Sequence, residues 1–247
     1  MQAGAEGAGF DSLCRQIERD RSFPCSQYLG TLLRRRIGVR MRARNSETFP
    51  SYARVLREDS SEYDRLIATL TINVTSFFRD PATYDCLAAR VLPAVWPTNA
   101  SGLLRVWSAG CSTGEEVYSL SMLMHDHANR NGGPRSLRQV RIVGSDVDRD
   151  AIAAARNGRY AESAFTHTPA SIRDRYFPLQ DAISTATPEL RGISSFEHGD
   201  MLDWSLPVAR KVNLIVCRNV VIYFTRTTQE ALFSRFHDLL LPGGFLV

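Results

Sequence analysis

The sequence predicts a parallel α/β domain, its sheet covered by helices on both faces, preceded by a small all-helical domain. Three observations predict this. From about residue 100, short apolar runs alternate with amphipathic segments, the pattern of strands and covering helices in a parallel sheet. Before that, residues 10 to about 72 repeat apolar side chains at helical steps and show no strand signal. Between about 161 and 192 the alternation breaks, which reads as an insertion or small subdomain inside a crossover.

In the helical part, "YLGTLLRRRIGVRMRARN" carries Tyr28, Leu29, Leu32, Leu33, Ile37 and Met41 at three- and four-residue steps. "SETFPSYARVLRED" and "SSEYDRLIATLTIN" each open with serine and a nearby acid, a helix-start pattern. Residues 73–99 form a linker and a first helix ahead of the sheet.

The α/β part spans 100–247. Leu103 to Gly110 is the first strand, and "EEVYSLSMLMHDHA" the helix after it. Val140 to Asp146 is the second strand, followed by a helix that stops at Gly158. Ile193 to Asp200 and "VNLIVC" (Val212 to Cys217) are further strands. "RTTQEALFSRFHDLLLPGG" reads as a helix closed by Pro242 and Gly243, with "FLV" opening another strand. In the insertion, "THTPASIRDRYF" predicts a short helix with Thr168 as cap and Pro169 as its first residue. "PLQDAISTATPELRG" reads as polar and turn-rich.

Composition narrows the function classes. No apolar run approaches bilayer length, and "MQAGAEGAGF" lacks a basic, apolar, cleavable signal. A soluble, uncleaved protein without membrane insertion is expected. The five cysteines are scattered with no CxxC pair, so a reduced protein without a zinc knuckle is expected. His125 and His127 stand two apart on a helix and do not share a face, so no metal site is expected. The net charge is +4, and of 30 basic residues only Lys211 is lysine.

In open parallel sheets, ligands lie beyond the carboxyl ends of the strands. Strand one ends in Gly110-Cys111-Ser112-Thr113-Gly114, small residues that let a ligand approach the backbone. Strand two ends at Asp146, where a carboxylate can accept from two ribose hydroxyls. The next strands end at Asp200 and at Arg218-Asn219. This explains why the apolar run Val212 to Phe224 is interrupted by Cys217-Arg218-Asn219: it leaves the core there and faces the crevice. The glycine loop matches neither the dinucleotide fingerprint nor the phosphate loop. Glu115 and Glu116 stand where a pyrophosphate would rest, and would repel it. A cationic, phosphate-free nucleoside such as S-adenosylmethionine fits better.

The ordered motifs "LTINVTSFFRD", "RVWSAGCSTGEEVYSLSMLM", "GSDVDRDAIAAARNGRY" and "VNLIVCRNVVIYFTRTTQEALFSRFHDLLLPGGFLV" resemble the CheR family of chemotaxis receptor methyltransferases. The resemblance is dense over roughly 60–247 and loose over 10–60. It implies a small helical N-terminal domain and a class I S-adenosylmethionine-dependent methyltransferase domain of Rossmann-like form. It also implies an inserted antiparallel subdomain. The implied activity is methyl transfer to glutamate side chains of chemoreceptors, giving glutamyl methyl esters and S-adenosylhomocysteine, in the cytoplasm. Two other readings stay open: a CheR-like cofactor-binding sensor or scaffold without methyl transfer, and a methyltransferase for another substrate.

Carried over residue by residue, the resemblance implies cofactor contacts at Asn73, Thr75 and Arg79 in "NVTSFFR". It implies others at Gly110, Gly114 and Glu116, at Asp146, and at Asn219 and Val220. Asp200 and Met201 stand where the family more often has asparagine-leucine; aspartate can still accept from an adenine amino group. Arg79 and Tyr223 are the implied catalytic residues. Plainer readings stand beside these. Asp146 and Glu116 would also suit a helix start, Asn73 and Thr75 a cap for a helix from Ser76, Phe77 and Phe78 the core, and Tyr223 either core or site. The chain closes on "PGGFLV", where the family continues into a strand or two, so a shortened sheet is expected.

Between Leu32 and Arg57 stand eight arginines and one acid, Glu47. Aromatic interleaving is sparse, which disfavours nucleic acid. The acidic methylation helices of chemoreceptors fit better, with Arg35, Arg40 and Arg44 as docking residues. A solvated face remains the plain alternative.

Overall fold

Apolar side chains recur once per helical turn through the first seventy residues, and in the computed structural model they become the inner stripes of four helices. The structure describes residues 2–71, 73–96, 102–131, 134–180, 182–203 and 211–247. By internal packing the chain divides into two units, Met1–Ile72 with Val220–Leu232, and Asn73–Asn219 with Phe233–Val247.

The first unit holds α1 (Gln2–Arg21), α2 (Gly30–Ala43), α3 (Phe49–Glu58) and α4 (Ser60–Leu70). Phe10, Leu13 and Ile17 of α1 meet Leu33, Ile37 and Met41 of α2 in one core, with Tyr52 and Leu56 of α3 and Tyr63, Leu66 and Leu70 of α4. Each is a stripe of residues three or four apart, and full burial of such a side chain contributes about 1.5–3 kcal/mol. Leu29, expected on this stripe, is exposed. α1 starts eight residues before the expected onset at 10. The helix starts also differ from the serines expected. Thr48 caps α3 by accepting from the Ser51 N–H at 3.2 Å, with Ser51 Oγ accepting in return from the Thr48 N–H at 3.3 Å. Asp59 caps α4 through the Ser61 N–H. Both have the extended backbone of a cap residue.

The core of this unit contains an ion pair. Glu62 has no exposed surface. Arg40 donates to it twice, at 2.9 and 2.7 Å, and the Tyr52 hydroxyl once, at 2.8 Å. Arg44 pairs with Asp59 at 3.1 Å. Arg40 and Arg44 therefore satisfy acids of their own domain, whereas Arg35 is exposed.

The second unit begins with α5 (Pro81–Cys86), continued by a π-turn into α6 (Leu92–Val95). Then come β1 (Leu104–Ala109), α7 (Glu115–Asn131), β2 (Val140–Asp146) and α8 (Arg149–Asn157). After the insertion follow α10 (Pro188–Ile193), β6 (Ser194–His198), β7 (Val212–Val216) and β8 (Leu240–Leu246), with α11 (Arg226–Leu239) between the last two; α11 belongs to the first unit up to Leu232 and to the second from Phe233. The sheet is parallel throughout in the order β6-β2-β1-β7-β8. Adjacent strand residues point to opposite faces. Val106 and Trp107 are both buried, as are Leu214 and Ile215, so both faces are covered. Trp107 donates to Ser145 Oγ at 2.9 Å and meets Phe236 of α11 edge-on.

The chain ends differently from the helix closed by Pro242 and Gly243. α11 stops at Leu239, and Leu240 already pairs with Val212. The next pair is Leu214 with Phe245, so Leu241–Gly244 bulge out of the ladder. Proline brings no N–H to the ladder, and Gly243 takes φ +78°.

The insertion contains β3 (Arg159–Tyr160), α9 (Ala170–Tyr176), β4 (Leu179–Gln180) and β5 (Ile183–Thr185), an antiparallel sheet in the order β3-β5-β4. Two of these strands lie in the stretch that reads as mere turns, because strands of two and three residues carry no periodicity. Pro169 occupies the cap position of α9 with extended backbone, so Thr168 is not its cap. Phe77 stacks on Phe165 at 4.4 Å, and Tyr160 and Phe177 close around them edge-on.

Candidate functional site

Because all strands of the large sheet run parallel, their carboxyl ends share one rim, and the strand order reverses between β1 and β7. In open parallel sheets such a reversal is where the ligand crevice lies. The loop leaving β1 has three left-handed residues, Gly110 (φ 81°), Ser112 (φ 49°) and Gly114 (φ 95°). A Cβ on Gly114 would sit 2.8 Å from Ala155 Cβ and 3.0 Å from the Phe196 ring. Only glycine fits both the backbone and the space. The Gly110 and Cys111 N–H groups donate to the Ser145 carbonyl, tying this loop to β2.

Asp146 ends β2, nearly buried. Its carboxylate accepts from the backbone N–H of Ser112 at 2.8 Å and of Asp148 at 3.0 Å. Burial pushes its carboxyl above the usual range, and these two N–H groups work against that shift. The cap of α8 is Asp148, which accepts from the Asp150 and Ala151 N–H groups. Asp146 is thus a loop organiser rather than a helix cap. Asn73 joins the same network: its amide donates to Asp148 at 2.6 Å and accepts from the Ser112 hydroxyl at 3.1 Å. No helix starts at Ser76; Asp80 occupies the cap position of α5.

Glu116 lies in the first turn of α7. It accepts from the Ser108 hydroxyl at 2.7 Å, and Arg218 Nη1 stands 3.7 Å from its other oxygen. Burial pushes its carboxyl up, while Ser108, Arg218 and Arg79 oppose the shift. Glu115 is buried as well, holding the Thr113 hydroxyl at 2.6 Å. Cys111 is fully enclosed; burial, then Asp146 and Glu116, push its thiol far up, which makes it inert.

Arg218 was not among the expected contacts, although its place inside an apolar run was the signal. Its guanidinium donates to Asp80 at 2.6 Å and to the Arg79 carbonyl at 2.8 Å while facing Glu116. It therefore links the end of β7, the start of α7 and the segment before α5. Arg79 itself donates to the Val74 carbonyl at 2.6 Å. Phe78 and Asp80 on either side of it both have positive φ, 51° and 57°. The Phe78 N–H is held by Ser119 Oγ at 2.9 Å, so this backbone strain is anchored on α7.

Asp200 follows β6 and accepts from the Leu202 N–H at 2.9 Å. Arg235 of α11 donates to the Met201 and Asp203 carbonyls, fixing that loop. Asn219 is left-handed (φ 59°) and exposed. Thr75 is half-buried. Among the expected residues, Asn73, Gly110, Gly114, Glu116, Asp146 and Arg79 are thus connected around the rim of one unit, with Asp200 at the end of a strand neighbouring β2. Val220 and Tyr223 belong to the first unit, where the Leu29 N–H donates to the Tyr223 carbonyl at 2.9 Å.

Two family models match the chain: the all-alpha domain of CheR methyltransferases over 8–71, and the S-adenosylmethionine-binding domain of CheR methyltransferases over 73–247. The chain belongs to the CheR methyltransferase family. It is 36% identical over 215 residues to an uncharacterised 104.1 kDa protein of Rhodobacter capsulatus, which covers 87% of this chain and 22% of that protein. It is 33% identical over 233 residues to a chemotaxis protein methyltransferase of Listeria monocytogenes (94% of this chain, 85% of the other). With the chemotaxis protein methyltransferase of Salmonella typhimurium it shares 30% over 245 residues (97% and 81%).

S-adenosylmethionine, the ligand of the matched CheR domain, fits the donor set on charge. Glu116 at the start of α7 and Asp146 at the end of β2 bring two carboxylates to the rim, the loop between them turns on Gly110 and Gly114, and Glu115 is buried against Thr113. Among the described residues no helix is long and apolar enough to cross a membrane. No group of three metal-ligating side chains converges among them either.

Proposed function

We propose that this protein transfers a methyl group from S-adenosylmethionine to glutamate side chains of methyl-accepting chemoreceptors, in the cytoplasm, giving glutamyl methyl esters. The observation that supports this reading is the pair of carboxylates, Glu116 at the start of α7 and Asp146 at the end of β2, in a chain whose CheR relatives are named chemotaxis protein methyltransferases. When bound, S-adenosylmethionine supplies a methyl group on a cationic sulfur. Asn73, Gly110, Gly114, Glu116 and Asp146 would hold it, with Thr75, Asp200, Met201, Asn219 and Val220 as further contacts.

A glutamate carboxylate is already ionised near neutral pH, so it needs no general base to act as nucleophile. The protein's task is alignment and exclusion of water. Arg79 spends one N–H on Val74 and keeps others for a substrate carboxylate; Tyr223 is the second residue assigned to the transfer site. Receptor docking falls to Arg35 rather than Arg40, whose charge is committed to Glu62, while Arg44 is shared with Asp59.

Methyl-labelled cofactor incubated with receptor-bearing membranes, followed by alkaline release, tests the assignment. Base-labile labelled methanol is the expected result. Base-stable label, or none, would overturn it.

A further inference from the structure

Tyr84 of α5 is 4% exposed, and its hydroxyl has no hydrogen-bond partner among the described residues. Its ring stands edge-on to Phe78 at 5.1 Å, and the Arg218 guanidinium lies over it at 5.5 Å. An unpaired buried hydroxyl costs about 1–3 kcal/mol. Phenylalanine would pack the same ring without that cost, so packing does not account for the oxygen. Its electrostatic neighbours are those of the crevice. Burial pushes the phenol up; Glu116 adds to the shift, while Arg218 and Ser119 oppose it. The group thus stays protonated, with Ser119 and Arg218 near its oxygen and its O–H left to donate to an arriving acceptor.

The pair beside it indicates what arrives. Glu116 and Arg218 place opposite charges 3.7 Å apart, a match for a ligand end that itself carries both charges. The amino-acid end of S-adenosylmethionine does, with an ammonium and a carboxylate, whereas its ribose suits Asp146. We propose that the Tyr84 hydroxyl is a ligand group of the crevice, donating a hydrogen bond to the carboxylate at the amino-acid end of the cofactor. This rests on the reading of the rim as the S-adenosylmethionine site. It adds a contact outside the glycine loop and the strand ends.

The test is Tyr84→Phe, with titration of S-adenosylhomocysteine and of 5′-methylthioadenosine, which lacks the amino-acid end. The variant should melt at or above the wild-type temperature, because an unsatisfied hydroxyl is gone. Its affinity for S-adenosylhomocysteine should fall about tenfold, the worth of a hydrogen bond to a charged group, with methylthioadenosine affinity unchanged. Equal S-adenosylhomocysteine affinity in both proteins, or an equal loss for both ligands, overturns the role of Tyr84. Wild-type protein that binds neither ligand overturns the cofactor reading itself, and the Tyr84 contact with it.

Discussion

The backbone N–H of Ser112 and the carboxylate of Asp146 are 2.8 Å apart, a bond that spans 34 residues of sequence and locks the loop after β1 to the end of β2. The other carboxylate oxygen holds the Asp148 N–H. Each oxygen keeps a second lone pair, enough to accept from two ribose hydroxyls. Asp146→Asn turns one oxygen into an N–H₂ group facing a backbone donor. Titration should show S-adenosylhomocysteine affinity at least about tenfold lower, and thermal melts a loss of about 1–3 kcal/mol.

Glu116 carries a pH prediction. Burial raises its carboxyl above the ordinary glutamate value, so on acidification it takes up a proton before an exposed carboxylate would. The neutral acid no longer attracts an ammonium. Affinity for S-adenosylmethionine should therefore be full well above the raised value and weaken as pH falls through it, starting above the ordinary carboxylate range. Glu116→Gln should bind weakly throughout and flatten this dependence. An affinity independent of pH in the wild type would contradict the assignment.

Arg40 and Arg35 should separate under charge reversal. Arg40→Glu leaves Glu62 buried without its partner and adds a like charge beside it. Breaking such a pair costs about 3–5 kcal/mol, so this variant should melt early or fail to fold. Arg35→Glu should fold normally and raise the apparent KM for receptor at low salt, leaving cofactor affinity unchanged. The pair also sets an acid limit. Burial pushes the Glu62 carboxyl up, but Arg40 and Tyr52 outweigh it and hold it below its ordinary value. Its contribution is present above the unfolded glutamate value and lost as pH falls through the lowered one, which acid melts of wild type and Glu62→Gln should show.

Gly114→Ala tests the loop sterically. A methyl group would meet Ala155 Cβ at 2.8 Å on a backbone at φ +95°. Overpacking and conformational strain together should cost about 2 kcal/mol or more in thermal stability and shift the loop that carries Ser112.

What was legible in the sequence had a period or a position. The strands β1, β2 and β7 stand out as apolar runs, and the ligand side follows from where they end. Asp146 is legible as the strand-end acid, but nothing in the sequence shows that its oxygens also hold Ser112 and Asp148. The hairpin of β4 and β5 was hidden because such short strands have no alternation to detect. The start of β8 was hidden because Pro242 and Gly243 resemble a helix stop when they in fact form a bulge. Arg40 looks solvated on a helical stripe of arginines until its partner, Glu62, is seen packing in from α4. Arg218 was visible as a polar break in an apolar run, but its partners Asp80 and Glu116 come from distant segments.

The central claim is that the rim around Glu116 and Asp146 holds a positively charged, phosphate-free nucleoside. Isothermal titration of the folded protein with S-adenosylmethionine, with adenosine triphosphate as the control, tests it most directly. Saturable binding of S-adenosylmethionine, absent with the triphosphate and weakened at least about tenfold in Asp146→Asn, is the predicted result. No heat with S-adenosylmethionine on a sample that melts cooperatively, or tighter binding of the triphosphate, would contradict it.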